Sequence, residues 1–296
     1  MQLKHNQVEA LSGWLFILPS VLGFGLLTLV PIVFSLVISF TDWNFLNGLK
    51  AFHFVGFDNY INMWSDRWFT DSLINNLIFV SATVPLTIVI SLLIAMGLNK
   101  GAFLKTPIRL MVFMPYISSM VAVAIVWGVL YDPSRGPINA FLHSIGIKDL
   151  PQWLASSTWA LPAIIILTVW ANVGYNMVIY LAGLQNIPKD LYEAAKMDGA
   201  GPIASFFHVT LPMLSPTTFF VVITSIIQSF QVFVTIFIMT QGGPGTSTSV
   251  LTFYIYQAGF SFYQMGYASA MAWILFIIIF AITFVQWQGQ KKWVNY

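Results

Sequence analysis

The sequence predicts an all-α membrane protein with six transmembrane helices, and two observations carry that prediction. Hydrophobic residues make up 58% of the 296 and charged residues only 7%, whereas a soluble domain carries roughly a quarter charged residues. No soluble fold of this length keeps such a surface in solution. The few charges are also unevenly spread: they bound five apolar stretches, each of at least the roughly 20 residues that cross the hydrocarbon core, and the last, Gly199 to Gln290, is long enough for two crossings, which makes six.

The first span, about 13–40, carries Pro19 and Pro31 as expected bends, and its length implies tilt or an interfacial turn. It exceeds the about 7–15 residues of a signal-peptide core, so it reads as a span rather than a cleaved leader. A short surface helix is expected between Thr41 and Asp71, where Asp58, Asp66 and Asp71 leave the segment acidic. The second span is about 72–98. The third, about 108–131 and free of charge from Leu110 onward, has Pro115 near its start. After the breaker-rich turn Asp132-Pro133-Ser134-Arg135-Gly136-Pro137 the fourth span runs about 159–184. A polar loop, 185–210, separates it from the fifth, about 211–240. The turn Gly242-Gly243-Pro244-Gly245 leads on to the sixth, about 267–288. The loops leave no room for a separate soluble domain, so 1–296 reads as one transmembrane domain.

Orientation follows from the Lys/Arg bias of the short loops. With the amino terminus in the cytoplasm, the inner segments hold Lys4, Lys100, Lys105, Arg109, Lys189, Lys196, Lys291 and Lys292, and the outer ones only Lys50, Arg67, Arg135 and Lys148. Both termini and the 185–210 loop then lie inside the cell membrane. Trp43, Trp64, Trp68, Trp153 and Trp159 gather on the outer side and Trp287 and Trp293 on the inner, as interfacial belts do.

Several function classes are excluded. A net charge of +2, scattered along the chain, does not suit nucleic acid. Cysteine is absent, which removes disulfides and thiolate metal sites. The histidines His5, His53, His143 and His208 all fall outside the spans, and none pairs with carboxylates at ligand spacing. No G-x-x-x-x-G-K-[ST] loop is present, so any ATP that drives this chain is bound by a partner.

The polar content of the spans is uncharged. Thr168, Asn172 and Tyr175 recur at i, i+4 and i+7, one face of the fourth helix, and Ser225, Gln228, Ser229 and Gln231 lie within two turns of the fifth. Buried amides in lipid turn inward, toward other helices or a water-filled cavity. Interhelical hydrogen bonding accounts for any one of these residues. Two such clusters on spans flanking one loop favour a cavity lining, suited to a neutral, polyhydroxylated ligand.

The loop itself reads as a docking element. Pro188 suits a first helical position, Asp190 and Glu193 fall in the opening turns where negative charge is favoured, and Gly199 supplies the stop. Ala194 and Ala195 leave one side nearly bald, open to close approach, while Glu193, Lys196 and Asp198 keep the rim in water. A second short apolar run, Ile203 to Val209, leads to Pro212 and back into the membrane.

The spacing Glu193-Ala194-Ala195, three residues, Gly199, nine residues, Val209, one residue, Leu211-Pro212 resembles the EAA loop of permease subunits from binding-protein-dependent ABC importers, with Val209 where that family usually has Ile. Leu184-Gln185-Asn186-Ile187-Pro188, Asp198-Gly199-Ala200-Gly201-Pro202 and Gly242-Gly243-Pro244 resemble its carbohydrate branch, the maltose and glycerol-phosphate permease type. The likeness runs from about Trp170 to Pro244 and implies a type I importer fold. It implies that Glu193, Ala194, Ala195, Met197, Asp198 and Gly199 dock into an ATPase. It also implies a sugar path lined at Thr168, Ala171, Asn172, Tyr175, Ser225, Ser229 and Val232, and, by a shorter match around Met114-Pro115-Tyr116, at Tyr116 and Ser119 or Met120. Ala171 and Val232 cannot donate a side-chain hydrogen bond; Gln228 and Gln231 are added because a polar neighbour can cover for Val232. The implied partners are a second permease, two ATP-binding cassette subunits carrying ATP and Mg, and an extracellular solute-binding protein, with no cofactor on this chain and no enzymatic role for it.

A stand-alone secondary transporter or channel is the competing reading. Proton coupling usually leaves an ionisable group at membrane depth, and no span carries one at its centre; sodium coupling through backbone and hydroxyl oxygens stays open. A non-transporting scaffold leaves the polar faces and the loop spacing unexplained.

Overall fold

The computed structural model describes residues 5–50, 52–99 and 105–292; Lys4, Lys100 and Trp293, used above for orientation and belts, lie outside them. In chain order the helices are α1 (His5–Phe24), α2 (Val30–Ile38), α3 (Asp58–Asn62), α4 (Arg67–Asn99), α5 (Lys105–Ile117), α6 (Met120–Leu130), α7 (Pro137–Ser144), α8 (Ala160–Gln185), α9 (Lys189–Met197), α10 (Pro202–Ser205), α11 (Leu211–Met213), α12 (Ser215–Phe230), α13 (Val234–Met239), α14 (Leu251–Tyr256) and α15 (Met265–Gly289). Among the described residues five stretches are long and apolar enough to cross a membrane: Ser12–Ile38, Arg67–Asn99, Ala160–Gln185, Ser215–Met239 and Met265–Gly289. The pair α5 and α6 makes a sixth if it is counted as one span.

One expectation about span geometry is corrected. Ahead of Pro31 the first span stays helical: Val30 N–H reaches back to Gly25 O through a π-helical turn, Gly25–Leu29, and Ser12–Ile38 counts as one helix of 27 residues. The wider turn makes room just ahead of a residue whose ring would crowd the preceding carbonyls. The third span, by contrast, is not continuous. Its two halves meet at 99° around Ser118 and Ser119. Pro115 removes one helical N–H and the Ser118 hydroxyl donates to Met114 O at 2.9 Å, so the backbone ladder is already weakened where the chain turns.

The chain gathers into two compact units. The first comprises the described residues up to Ser65 with Ile255–Ile274. Here the start of α15 lies against the end of α2. Gly266 N–H donates to Trp43 O, and a Cβ at Gly266 would sit 2.0 Å from Thr41 O, so only glycine permits the approach. Trp273 Nε1 donates to Ser35 Oγ at 3.2 Å, and Trp43 stacks on Phe52 with centroids 5.1 Å apart. Most of α1 and α2 is exposed and apolar, a face suited to lipid.

The second unit, Asp66–Tyr254 with the described residues from Leu275 on, is organised around α8. Two-thirds of its apolar window is buried, which makes it the central span, with α4, α5 and α12 packed against it. The α5 crossing is closest at Gly174, where a Cβ would meet Val112 O at 2.1 Å. Every buried residue of α4 falls at a spacing that keeps it on one face, and that face carries Ser72, Asn76, Thr83, Thr87 and Ser91 among its apolar members. At its N-terminal end the stripe holds the segment that leads into α14. Ser72 pairs with Ser249 at 2.7 Å, Asn75 donates to Thr246 O and Ser249 O, and Asn76 Oδ1 accepts Leu251 N–H at 3.1 Å. The Gly242–Gly245 turn is thus anchored to α4 rather than left loose.

Candidate functional site

Further along the same α4 face, the second unit holds a half-open cavity of about 190 Å³. Phe79, Thr83, Val84 and Thr87 come from α4, Met120 from the first turn of α6, and Thr168 and Asn172 from α8. Ser225, Gln228 and Ser229 come from α12, and Val232 to Thr235 from the break between α12 and α13 and the turn that follows. Both interruptions of helical geometry at this depth, 118–119 and 231–233, adjoin the cavity wall. Irregular backbone inside a membrane is tolerated where it lines a cavity. No lining residue is ionisable, so the wall offers hydroxyls, amides and ring faces without formal charge.

Of the residues singled out from sequence, Met120, Thr168, Asn172, Ser225, Gln228, Ser229 and Val232 meet around this space. Their local bonds hold them in place: Thr168 Oγ1 donates to Ile164 O at 2.8 Å, Asn172 Nδ2 to Thr168 O at 2.9 Å, and Asn176 Nδ2 to Ser225 Oγ at 3.1 Å. The others lie elsewhere. Tyr116 and Tyr175 stack on each other, centroids 4.6 Å apart at 17°, Ala171 is fully buried, and Ser119 and Gln231 are exposed. Sequence reasoning missed Phe79, Thr83, Val84, Thr87, Phe233, Val234 and Thr235. The signal was present in α4, whose Ser72, Asn76, Thr83, Thr87 and Ser91 follow one helical stripe.

The 185–210 loop contains α9, and its geometry follows from its ends. Pro188 is the residue before the helix, with extended ψ of 133°, not its first helical position as expected from sequence. Its backbone preference is satisfied outside the helix. Asp198, Gly199 and Ala200 close the other end through N–H bonds to Ala194 O, Lys196 O and Ala195 O, and Gly199 takes φ of +80°. Glu193, Ala194, Lys196, Met197 and Asp198 are exposed, Met197 at 88%, while Ala195 is half-buried. Ile203 and Phe207 of the run after the loop's turn are exposed as well. The run continues as α10 and a π-helical turn, Phe206–Thr210, ahead of Pro212. On the inner side of α9, Tyr192 packs into the cluster built by Met177, Tyr180, Leu181, Leu184 and Leu214, and its hydroxyl lies 2.9 Å from that of Thr210. Among residues whose side chains are described, no group of three or more His, Asp or Glu could hold a metal ion.

Comparison with known proteins agrees with the fold. The sequence profile of the family described as binding-protein-dependent transport system inner membrane component matches residues 63–291. The chain is 38% identical over 292 residues to the probable ABC transporter permease protein YesP of Bacillus subtilis (strain 168), covering 97% of this chain and 93% of that one. It is 35% identical over 286 residues to the lactose transport system permease protein LacF of Rhizobium radiobacter, covering 95% and 94%. In fold it is similar to a chain from the crystal structure of a bacterial ABC transporter involved in the import of the acidic polysaccharide alginate, with a TM-score of 0.85 at 22% identity over 99% of this chain and 100% of that one. The architecture is the type I importer permease fold. The chain belongs to the family of binding-protein-dependent transport system inner membrane components, as a multi-pass permease of an ABC importer and not an enzyme.

Proposed function

We propose that this chain forms, with a second permease, the translocation path for a sugar or oligosaccharide delivered by an extracellular solute-binding protein, with two ATP-binding cassette subunits supplying the energy. The observation that carries the substrate class is the uncharged cavity wall, in which Thr168, Asn172, Ser225, Gln228 and Ser229 stand beside Phe79 and Phe233. Amides and hydroxyls pair with sugar hydroxyls, and ring faces cover the apolar faces of a pyranose. The lactose relative places a saccharide carrier within this family.

In this reading 1–296 act as one transmembrane domain with both termini and the α9 loop in the cytoplasm. Glu193, Ala194, Ala195, Met197, Asp198 and Gly199 seat α9 in a cleft of the ATPase, which alone binds ATP and Mg. Closure of the ATPase pair moves α9 as a lever and switches the cavity between inward and outward access. A lone secondary transporter has no such use for an exposed, apolar-tipped cytoplasmic helix.

Two measurements on the detergent-purified protein test this. The chain should copurify with a nucleotide-binding subunit and a second permease. With the solute-binding protein present, a neutral saccharide should stimulate ATP hydrolysis. Uptake by this chain alone in liposomes, or stimulation only by amino acids or ions, contradicts the proposal.

A further inference from the structure

We infer that Thr83 and Thr87 of α4, with Thr235 of α13, form a second polar wall that binds one neutral sugar ring in the cavity; this rests on the saccharide path proposed above. All three residues are 2% exposed, all three line the cavity, and the Oγ1 of each has no hydrogen-bond partner in the protein. That state is not what threonine ordinarily does in this chain. Thr70, Thr168, Thr224 and Thr240 each donate to a carbonyl three or four residues back, Thr168 on the wall of the same cavity. A buried hydroxyl without a partner is destabilising, and it is retained where something else supplies the bond.

Rotation makes these hydroxyls available. Helical threonine populates two χ1 wells, so a turn between them exchanges the methyl and hydroxyl positions at the cavity surface. With no existing partner, the turn breaks no hydrogen bond. Thr83 and Thr87 are one helical turn apart, with Cβ atoms about 5–6 Å from each other, a separation comparable to that of hydroxyls on opposite sides of a pyranose. The cavity volume of about 190 Å³ is below the roughly 300–1,000 Å³ of pockets for drug-sized ligands. It accommodates one ring, and its open side leaves room for the rest of a longer saccharide. With no cationic lining residue, a neutral ring is favoured over a phosphorylated one.

The experiment uses the complete transporter in detergent, without the solute-binding protein, and glucose, galactose, xylose, maltose and lactose as probes. Apparent affinity is read from the sugar-dependent shift in melting temperature, and the sugar-free melting temperature is recorded alongside it. Thr83→Val/Thr87→Val should weaken the best probe about tenfold or more, the loss of two neutral hydrogen bonds. Its sugar-free melting temperature should be unchanged or higher, because the unpaired hydroxyls are gone. Thr224→Val, whose hydroxyl is already bonded to Phe220 O, should leave affinity unchanged. Should the double variant not assemble, Thr235→Val is read in the same way, with a loss of severalfold expected. Unchanged affinity in the threonine variants overturns the inference while the saccharide path stands. A fall in both affinity and sugar-free stability also overturns it, since that marks a structural role. Failure of every probe to bind the unaltered transporter overturns both.

Discussion

The hydroxyl of Tyr192 lies 2.9 Å from that of Thr210, so α9 in the 185–210 loop is tied to the turn that opens the fifth span. Tyr192 also packs into the apolar cluster between α8 and α12, where Leu214 is fully buried. Together these contacts give a displaced α9 a direct route to the helix that carries Ser225, Gln228 and Ser229. Tyr192→Phe keeps the packing and removes the hydroxyl link, worth about 1 kcal/mol. Assembly and ATPase activity should persist while the ATP hydrolysed per solute transported rises severalfold, measured in proteoliposomes with the solute-binding protein enclosed or added.

Within this chain, Gly199 answers a backbone need and not a lack of space. Its φ of +80° is left-handed, and a Cβ there would meet nothing within 4 Å. Gly199→Val should therefore strain the end of α9 by about 1–2 kcal/mol and lower coupling, whereas Gly199→Asn, which tolerates that conformation, should retain most of it. Comparable coupling ratios for the two variants would show that bulk, and not backbone geometry, matters at this position.

Gly174 presents the opposite case. A Cβ there would sit 2.1 Å from Val112 O and 2.7 Å from Phe113 Cα, both backbone atoms that cannot rotate away. Gly174→Ala should push α5 from α8 and cost about 1–3 kcal/mol, seen as a lower melting temperature in detergent. Gly97→Ala, where the added methyl meets nothing, should leave stability unchanged or slightly improved.

Gln228 lines the cavity and Gln231 is exposed three residues on. Asn172→Leu and Gln228→Leu should each cut saccharide uptake about tenfold or more at unchanged protein yield, because each removes hydrogen bonds to the solute. Gln231→Leu should have a much smaller effect. Uptake assays in cells depleted of other sugar carriers distinguish the two outcomes.

Most of the long spans were legible because sparse charges mark the loops between them, the last two because the Gly242–Gly245 turn divides a charge-free run, and α9 because Asp190, Glu193 and Gly199 sit where a short helix places them. The cavity was half legible. Thr168 and Asn172 share an obvious stripe, but Thr83 and Thr87 are neutral, β-branched residues in an apolar run and read as ordinary packing. Their meaning depends on which neighbours fail to bond them, and only tertiary structure supplies that. The break at 118–119 was hidden for a related reason: two serines within an apolar stretch are compatible with a continuous helix until Pro115 and the 99° turn are seen together. Tyr175 falls on the polar face of the fourth span and Tyr116 on the implied path by resemblance, yet each ring finds the other.

The chain contains no cysteine, so a single Lys196→Cys substitution creates a unique label site on exposed α9. If α9 is the cytoplasmic helix that receives force from an ATPase, a membrane-impermeant maleimide should label it in inside-out vesicles stripped of the ATPase and not in intact cells, and re-docking the ATPase should protect it. Labelling from the outside of intact cells would contradict the topology and the coupling scheme built on it.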